Sequence, residues 1–247
     1  MKGKVTVITG GAQGIGREIA MHFARAGSDI CIGDINYDLS KETGKEIEGV
    51  GVRCLVIDVD TSDYIQVEQM INKIVKKFNR LDILINNAAF VEKVPFLDYT
   101  EESWKRTIDT SLNGYFYCSQ LAARKMVETG TKKGKIIHIS SITGFIPHAG
   151  LMAYSAAKAG VQAMTKSMSH ELRKYDISVN AVVPAVTDTP LMKGVIEKMK
   201  KGEGQGMPGS AVKTAGEVAQ VVLQVASDKD NLLSGNIINV GSSALGS

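Results

Sequence analysis

The sequence predicts an α/β fold: one doubly wound domain over residues 1–247, on a parallel sheet of about seven strands with helices on both faces. Three observations predict it. Short apolar runs recur at 5–8, 30–33, 54–57, 83–85, 135–139, 178–183 and 236–240, with the continuous apolar character of strands covered on both sides. Longer amphipathic stretches stand between them, as at 64–78, 101–127 and 153–174, and that alternation is the pattern of right-handed β-α-β crossovers. The 247 residues are 44% hydrophobic, enough for a full core, and neither repeats nor an interdomain linker interrupt them. In such a sheet ligands bind along the edge formed by the carboxyl ends of the strands.

The first strand leads into Thr9-Gly10-Gly11-Ala12-Gln13-Gly14-Ile15-Gly16, and a helical pattern opens directly behind it, at 17–26. Glycine removes the Cβ where a tight turn must bring backbone N–H groups against a phosphate. The N-terminus of a helix adds partial positive charge at the same spot. Strand, glycine turn and helix in that order predict a Rossmann-type seat for a nucleotide pyrophosphate. The glycine order, G-x-x-x-G-x-G at Gly10, Gly14 and Gly16, differs from the G-x-G-x-x-G fingerprint. Gln13 and Ile15 complete the expected cofactor-binding segment.

The second strand ends in a carboxylate, Asp34, 18 residues beyond Gly16. An acid about 20 residues on is where an adenosine ribose is held. A carboxylate there accepts bonds from the 2′- and 3′-hydroxyls and repels a 2′-phosphate. Gln13, Ile35 and Asn36 supply no cation to reverse that preference, and Arg17 is the one nearby cation that could. The expected cofactor is therefore NAD(H) rather than NADP(H). The alternative for Asp34 is a loop acid or a helix N-cap.

Composition narrows the partners. A net charge of +3 implies no strong nucleic-acid or membrane field. Cys31, Cys54 and Cys118 are odd in number and widely spaced, which reads as reduced thiols in packed elements. The four histidines, His22, His138, His148 and His170, show no ligand spacing, so no metal site is expected. The first strand starts too early for a signal peptide, and no apolar run approaches the length of a membrane span. A cytoplasmic protein is expected. The stretch after the sixth strand, 188–213, is rich in Gly, Lys and Met and reads as a lid over the site.

Tyr154 and Lys158 share one helix face at i, i+4. Tyr37 and Lys41 have the same spacing with nothing else beside them, so spacing alone decides little. Position separates the pairs: Tyr154 follows the fifth strand, which runs into Ser140-Ser141 at the ligand-binding edge.

The segments 9–16, Asp58-Val59, Asn86-Asn87-Ala88, Asn113, Ser141, Tyr154-Ser155-Ala156-Ala157-Lys158, and 180–184 leading to Thr187-Asp188-Thr189-Pro190 occur in one order. In that order and at those separations the chain resembles the short-chain dehydrogenase/reductase family over nearly its whole length. The resemblance implies hydride exchange between a secondary alcohol or ketone and a nicotinamide cofactor, by a homotetramer. It implies that Tyr154 is the general acid/base and that Lys158 favours the phenolate and binds the nicotinamide ribose. Ser141 would hold the substrate oxygen, with Ser140 as its neighbouring rival. Asn113 would perturb its helix and bind a water, completing a proton relay through Lys158, or only kink the helix. Asp58, with Val59, would lie at the adenine, or Asp58 would cap the following helix. Asn87 would lie by the cofactor ribose or pin the fourth strand. Thr187 and Thr189 would bind the carboxamide or cap the lid helix.

The chain departs from the family pattern where glycine is usual, at Ala89 and Ala185, and at Gly241-Ser242-Ser243 near the C-terminus. Pocket walls placed by position are Phe90, Val91, Thr143, Phe145, His148, Leu151 and Met192, a mostly apolar set that suits an alcohol or ketone of modest size. Lys193, Lys198, Lys200 and Lys201 could attract an anionic acyl thioester or form a solvated face. The sequence thus leaves three readings: an NAD-dependent alcohol dehydrogenase or ketone reductase, a 3-oxoacyl-thioester reductase, and a non-catalytic nucleotide sensor.

Overall fold

Seven apolar runs form seven strands, β1 (Val5–Thr9), β2 (Asp29–Asp34), β3 (Cys54–Asp58), β4 (Ile83–Asn86), β5 (Gly134–Ile139), β6 (Ile177–Pro184) and, after two short strands described below, β9 (Ile237–Val240). They are seen in a computed structural model that describes residues 1–193, 196–197 and 212–241. All pair in parallel in the order β3-β2-β1-β4-β5-β6-β9. The chain winds outward from β1 to β3, returns to β4 on the other side of β1, and winds outward again. That reversal opens a crevice between β1 and β4 at the carboxyl edge, the usual ligand position in such sheets.

Helices α1 (Gly14–Arg25), α2 (Tyr37–Gly49), α3 (Tyr64–Phe78), α4 (Glu101–Ile108), α5 (Gly114–Glu128), α6 (Met152–Leu172) and α7 (Ala215–Ala226) form the crossovers and the covering layers. On one face Ile19 and Phe23 of α1 and Val218 and Val222 of α7 pack on Ile8, Ile32 and Ile137. On the other, Met70 and Ile74 of α3 and Leu121 and Met126 of α5 pack on Val7, Leu84 and Ile136. Double coverage is why these strands carry apolar residues continuously rather than in alternation.

The expected helix over 101–127 is divided. A π-helical turn, Asp109–Asn113, separates α4 from α5. Contacts on both sides fix it. The Ser111 hydroxyl accepts from Phe90 N–H (3.1 Å) and donates to Phe90 O (3.0 Å). A Cβ on Gly114 would stand 2.7 Å from the Thr61 carbonyl oxygen. Such π turns inside helices are frequent at functional sites.

After β6, β7 (Thr187–Asp188) pairs with β8 (Lys213–Thr214) as a separate two-stranded ribbon. Most of the expected lid, with Lys198, Lys200 and Lys201, lies outside the described residues, as do Ser242 and Ser243.

Candidate active site

The glycine turn leaves β1 through Gly10 at φ +67° and Gly14 at φ +57°, backbone states that favour glycine. Packing adds a second demand. A Cβ on Gly10 would lie 2.8 Å from the Ala88 Cα, and one on Gly16 would lie 2.0 Å from the Gly10 carbonyl oxygen. Asn87 pins the turn. Its side-chain amide donates to Thr9 O (3.1 Å) and Gly10 O (2.8 Å), and its N–H donates to Thr9 Oγ1 (3.0 Å).

Helix α1 starts from Gln13 with no side-chain cap and no acid in its first turn. By contrast α2, α3, α4 and α7 are capped by Asn36, Asp63, Thr100 and Thr214. The first N–H groups of α1 are left for an outside anion. Ile15 faces the core beneath the turn. Asp34 stands at the end of β2, its two oxygens held by Ala12 N–H and Asn36 N–H, both at 2.9 Å. Arg17 turns away from it, paired with Glu18 at 2.7 Å and with Glu46. Asp58 is exposed and in register with Asp34, and the buried Val59 donates its N–H to Asp34 O (3.2 Å). The cap of α3 is Asp63, so Asp58 is free of that task. Across the turn a Cβ on Gly14 would stand 3.6 Å from the Thr189 side chain. Thr189 makes no side-chain cap, and the buried Thr187 hydroxyl bonds Ala185 O at 2.9 Å. An uncapped helix N-terminus with a preset carboxylate at the end of the next strand fits an adenine dinucleotide.

Beside this seat the end of β5 meets α6. Ser140 turns into the fold: its hydroxyl donates to Lys158 O and accepts from Gln162 Nε2, each at 3.1 Å. Ser141 takes the open side. Its oxygen accepts from Thr143 N–H (3.2 Å) and the Thr143 hydroxyl (3.0 Å), leaving its own O–H to donate. Burial pushes the pKa of the Tyr154 phenol up to about 12, outweighing the Ser141 hydroxyl, which draws it down. Lys158 is 1% exposed. Its Nζ donates to Tyr115 Oη and Ile139 O, each at 2.8 Å, and lies 5.5 Å from the Tyr154 ring centre. Burial brings its pKa down to about 7. The expected easing of phenol ionisation by Lys158 is thus opposed by desolvation of both groups.

Tyr154, Lys158 and Ser141 converge; the side chain of Asn113 does not join them. Its amide donates to Asp109 Oδ1 (2.8 Å), and Lys105 holds the other oxygen of that carboxylate. The sequence reading missed Ser111 and Tyr115. Hydroxyls in an apolar helix carry no signal of their own, and the π turn decides which of them face inward. Beneath Lys158 runs a buried polar chain: Asn86 Nδ2 donates to Ser119 Oγ (2.8 Å), which contacts His138 Nε2 (3.1 Å), and His138 Nδ1 contacts Thr165 Oγ1 (2.8 Å). Thr165 gives its hydrogen to Val161 O (2.7 Å), so His138 Nδ1 carries the proton. The control pair, Tyr37 and Lys41, is a surface contact with Lys41 bonded to Asp38.

A model of the short chain dehydrogenase family matches residues 4–200. The chain belongs to that family. A 3-oxoacyl-[acyl-carrier-protein] reductase of Thermotoga maritima is 33% identical over 240 residues, 97% of each chain. The (2S)-[(R)-hydroxy(phenyl)methyl]succinyl-CoA dehydrogenase subunit of Thauera aromatica is 32% identical over 97% of this chain and 96% of its own. A short-chain type dehydrogenase/reductase from Mycobacterium marinum superposes with a TM-score of 0.91 at 30% identity, covering 98% of this chain and 95% of its own. This short-chain dehydrogenase is an oxidoreductase of the kind that uses a nicotinamide cofactor. Of the departures from the family pattern, Ala89 is exposed beside the turn and the buried Ala185 donates its N–H to Val240 O (3.0 Å). Among the expected pocket walls, the Phe90 ring lies under the Arg106 guanidinium at 4.0 Å, and His148 Nε2 is buried with no partner among the described residues.

Proposed function

We propose that this chain is an NAD(H)-dependent oxidoreductase that interconverts a secondary alcohol and a ketone, with Tyr154 as general acid/base. The observation that carries the reading is the meeting of Tyr154, Ser141 and Lys158 beside the uncapped N-terminus of α1. Gly10, Gln13, Gly14, Ile15 and Gly16 would seat the pyrophosphate, Asp34 the adenosine ribose, and Asp58 and Val59 the adenine. Asn87, Thr187 and Thr189 would line the nicotinamide half. The preference for NAD(H) is supported by the Asp34 carboxylate and by the engagement of Arg17 with Glu18 and Glu46.

When bound, the nicotinamide gives or takes the hydride. Ser141 Oγ–H donates to the substrate oxygen. Tyr154 Oη gives that oxygen a proton in reduction and recovers it in oxidation. A phenol with a pKa of about 12 is protonated at neutral pH and ready as the acid. As the base it depends on the positive charge of Lys158, which also holds the ribose. Apolar walls near Phe90 suit a substrate of modest size, and the unpartnered His148 nitrogen supplies one polar contact.

A second reading, 3-oxoacyl-thioester reduction, is supported by the names of the Thermotoga and Thauera relatives, both of which act on acyl thioesters. The same three side chains would serve it, since a 3-hydroxyacyl thioester is itself a secondary alcohol. The exposed Phe116, Val127 and Tyr175 border a groove between α5 and α6, which supports assembly with copies of the same chain, as in the expected homotetramer. Three free, buried cysteines fit a cytoplasmic location.

Steady-state assays with NADH and NADPH against simple ketones, polyols, sterols and acetoacetyl-coenzyme A test these readings. Turnover of ketones with NADH supports the first, and exclusive turnover of the thioester supports the second. NADH binding without turnover of any substrate would leave a nucleotide sensor, and preference for NADPH would overturn the cofactor assignment.

A further inference from the structure

Lys158 has three N–H donors when charged. Two are committed inside the fold, to Tyr115 Oη and Ile139 O, each at 2.8 Å. Tyr115 is 1% exposed and is among the largest fully buried side chains among the described residues. Its hydroxyl donates to the same Ile139 carbonyl at 2.9 Å. Ile139 lies one residue beyond the last β4–β5 pair, Asn86–His138, so its carbonyl sits at the open end of that ladder. The three groups form a closed triangle: Lys158 to Tyr115, Tyr115 to Ile139, Lys158 to Ile139.

The direction of each bond follows. The phenolic hydrogen goes to Ile139, so only the lone pairs of Tyr115 face Lys158. A carbonyl cannot pass a proton on, and burial keeps Tyr115 a neutral phenol by pushing its pKa up. Tyr115 is thus a fixed acceptor and not a proton carrier. Its ring centre lies 4.4 Å from Nζ, with the hydroxyl the nearer group. The groups that face Lys158 are Tyr154 on α6, Tyr115 on α5 and His138 on β5. None is anionic in this state, so the ammonium is held by dipoles alone.

We infer that Tyr115 is a positioning residue for Lys158: its hydroxyl and the Ile139 carbonyl anchor two N–H groups, leaving the third for the cofactor ribose beside Tyr154. The inference rests on the proposed role of Lys158 in the site. The π turn matters here because α5 begins at Gly114, one residue before Tyr115, and so sets where this phenol enters the core.

Tyr115→Phe tests it. The substitution keeps the ring and removes only the acceptor. The first readout needs neither substrate nor cofactor: titration of Lys158 in the free protein, followed by NMR of isotope-labelled lysine side chains. Losing an acceptor from the charged form should lower the Lys158 midpoint by about one pH unit. The second readout is NADH affinity by fluorescence, expected to weaken roughly tenfold for loss of one oriented bond to a charged group. The third is a cycle with Lys158→Met: the affinity lost through Tyr115→Phe should vanish once Lys158 is gone. An unchanged Lys158 midpoint in a folded Tyr115→Phe protein would overturn the inference, and so would an equal loss of affinity in the Lys158→Met background. If Tyr115→Phe does not fold, Tyr115→Met with the same titration decides in its place. A shifted midpoint in a protein that never binds NADH would uphold the Tyr115–Lys158 link and sink the proposed function instead.

Discussion

Replacing Asp34 by Asn should weaken NADH and improve NADPH, and the sizes follow from the site. Each Asp34 oxygen is already oriented by one backbone N–H at 2.9 Å, leaving outward lone pairs to meet a ribose. A hydrogen bond to a charged acceptor contributes about 1.5–3 kcal/mol, so loss of the charge should cost NADH roughly 10- to 100-fold in affinity. For NADPH the sign reverses. A dianionic 2′-phosphate near 4 Å meets roughly 2 kcal/mol of repulsion at the solvent-like end of the dielectric range, the suitable end for a half-exposed carboxylate. Removing it should improve NADPH binding by about 30-fold. Arg17 does not blunt the effect, because Glu18 and Glu46 hold it. Fluorescence titration of both cofactors checks this, with a melting curve to show that the turn is intact. Asp34→Ala should relax the preference further and lower the melting temperature more than Asn does, since it frees both the Ala12 and the Asn36 amide where Asn frees one. A wild-type protein that already favours NADPH, or an Asn variant with unaltered NADPH affinity, would refute the reasoning.

Tyr154→Phe should reduce turnover by orders of magnitude while NADH still binds; near-normal turnover would remove Tyr154 from its role. With a phenol pKa of about 12, ketone reduction should proceed at neutral pH, while alcohol oxidation should rise with pH only as long as Lys158, near 7, keeps its charge; pH–rate profiles in both directions check this. Gly16→Ala should abolish NADH binding and destabilise the protein, because its Cβ would fall 2.0 Å from the Gly10 carbonyl oxygen; unchanged binding and melting would refute that packing. Burial lowers His138 from 6.5 to about 3. The unfolded chain takes up this proton as pH falls through 6.5 and the folded chain does not, so stability is full above that pH and falls by up to about 1.4 kcal/mol per unit below it. Urea denaturation across mildly acid pH should show that slope in the wild type and a flatter one in His138→Gln, and parallel slopes would count against it.

The seven strands were legible because both faces of a parallel sheet are covered, which forces unbroken apolar runs; their ends shifted by one residue at most. The glycine turn was legible because strand, turn and helix each leave a mark, and Asp34 because its distance from Gly16 is set by one β-α-β unit. The family resemblance chose Ser141 over Ser140 by its separation from Tyr154, and the fold adds the physical difference: one hydroxyl bonds the α6 backbone and the other remains available. The break in the helix over 101–127 was not legible. It is produced by contacts of Ser111 with Phe90 and of Gly114 with Thr61, both remote in sequence. Tyr115 was missed for the same reason: only the fold brings it under a lysine 43 positions away.

The β7–β8 ribbon ties together the two roots of the segment between Asp188 and Lys213. Once those ends are clipped by backbone pairing, lengthening the insert is cheap: doubling it raises the closure entropy by only about 0.6 kcal/mol. The pairing thus fixes where the chain leaves at Asp188 and where it returns at Lys213, whatever lies between.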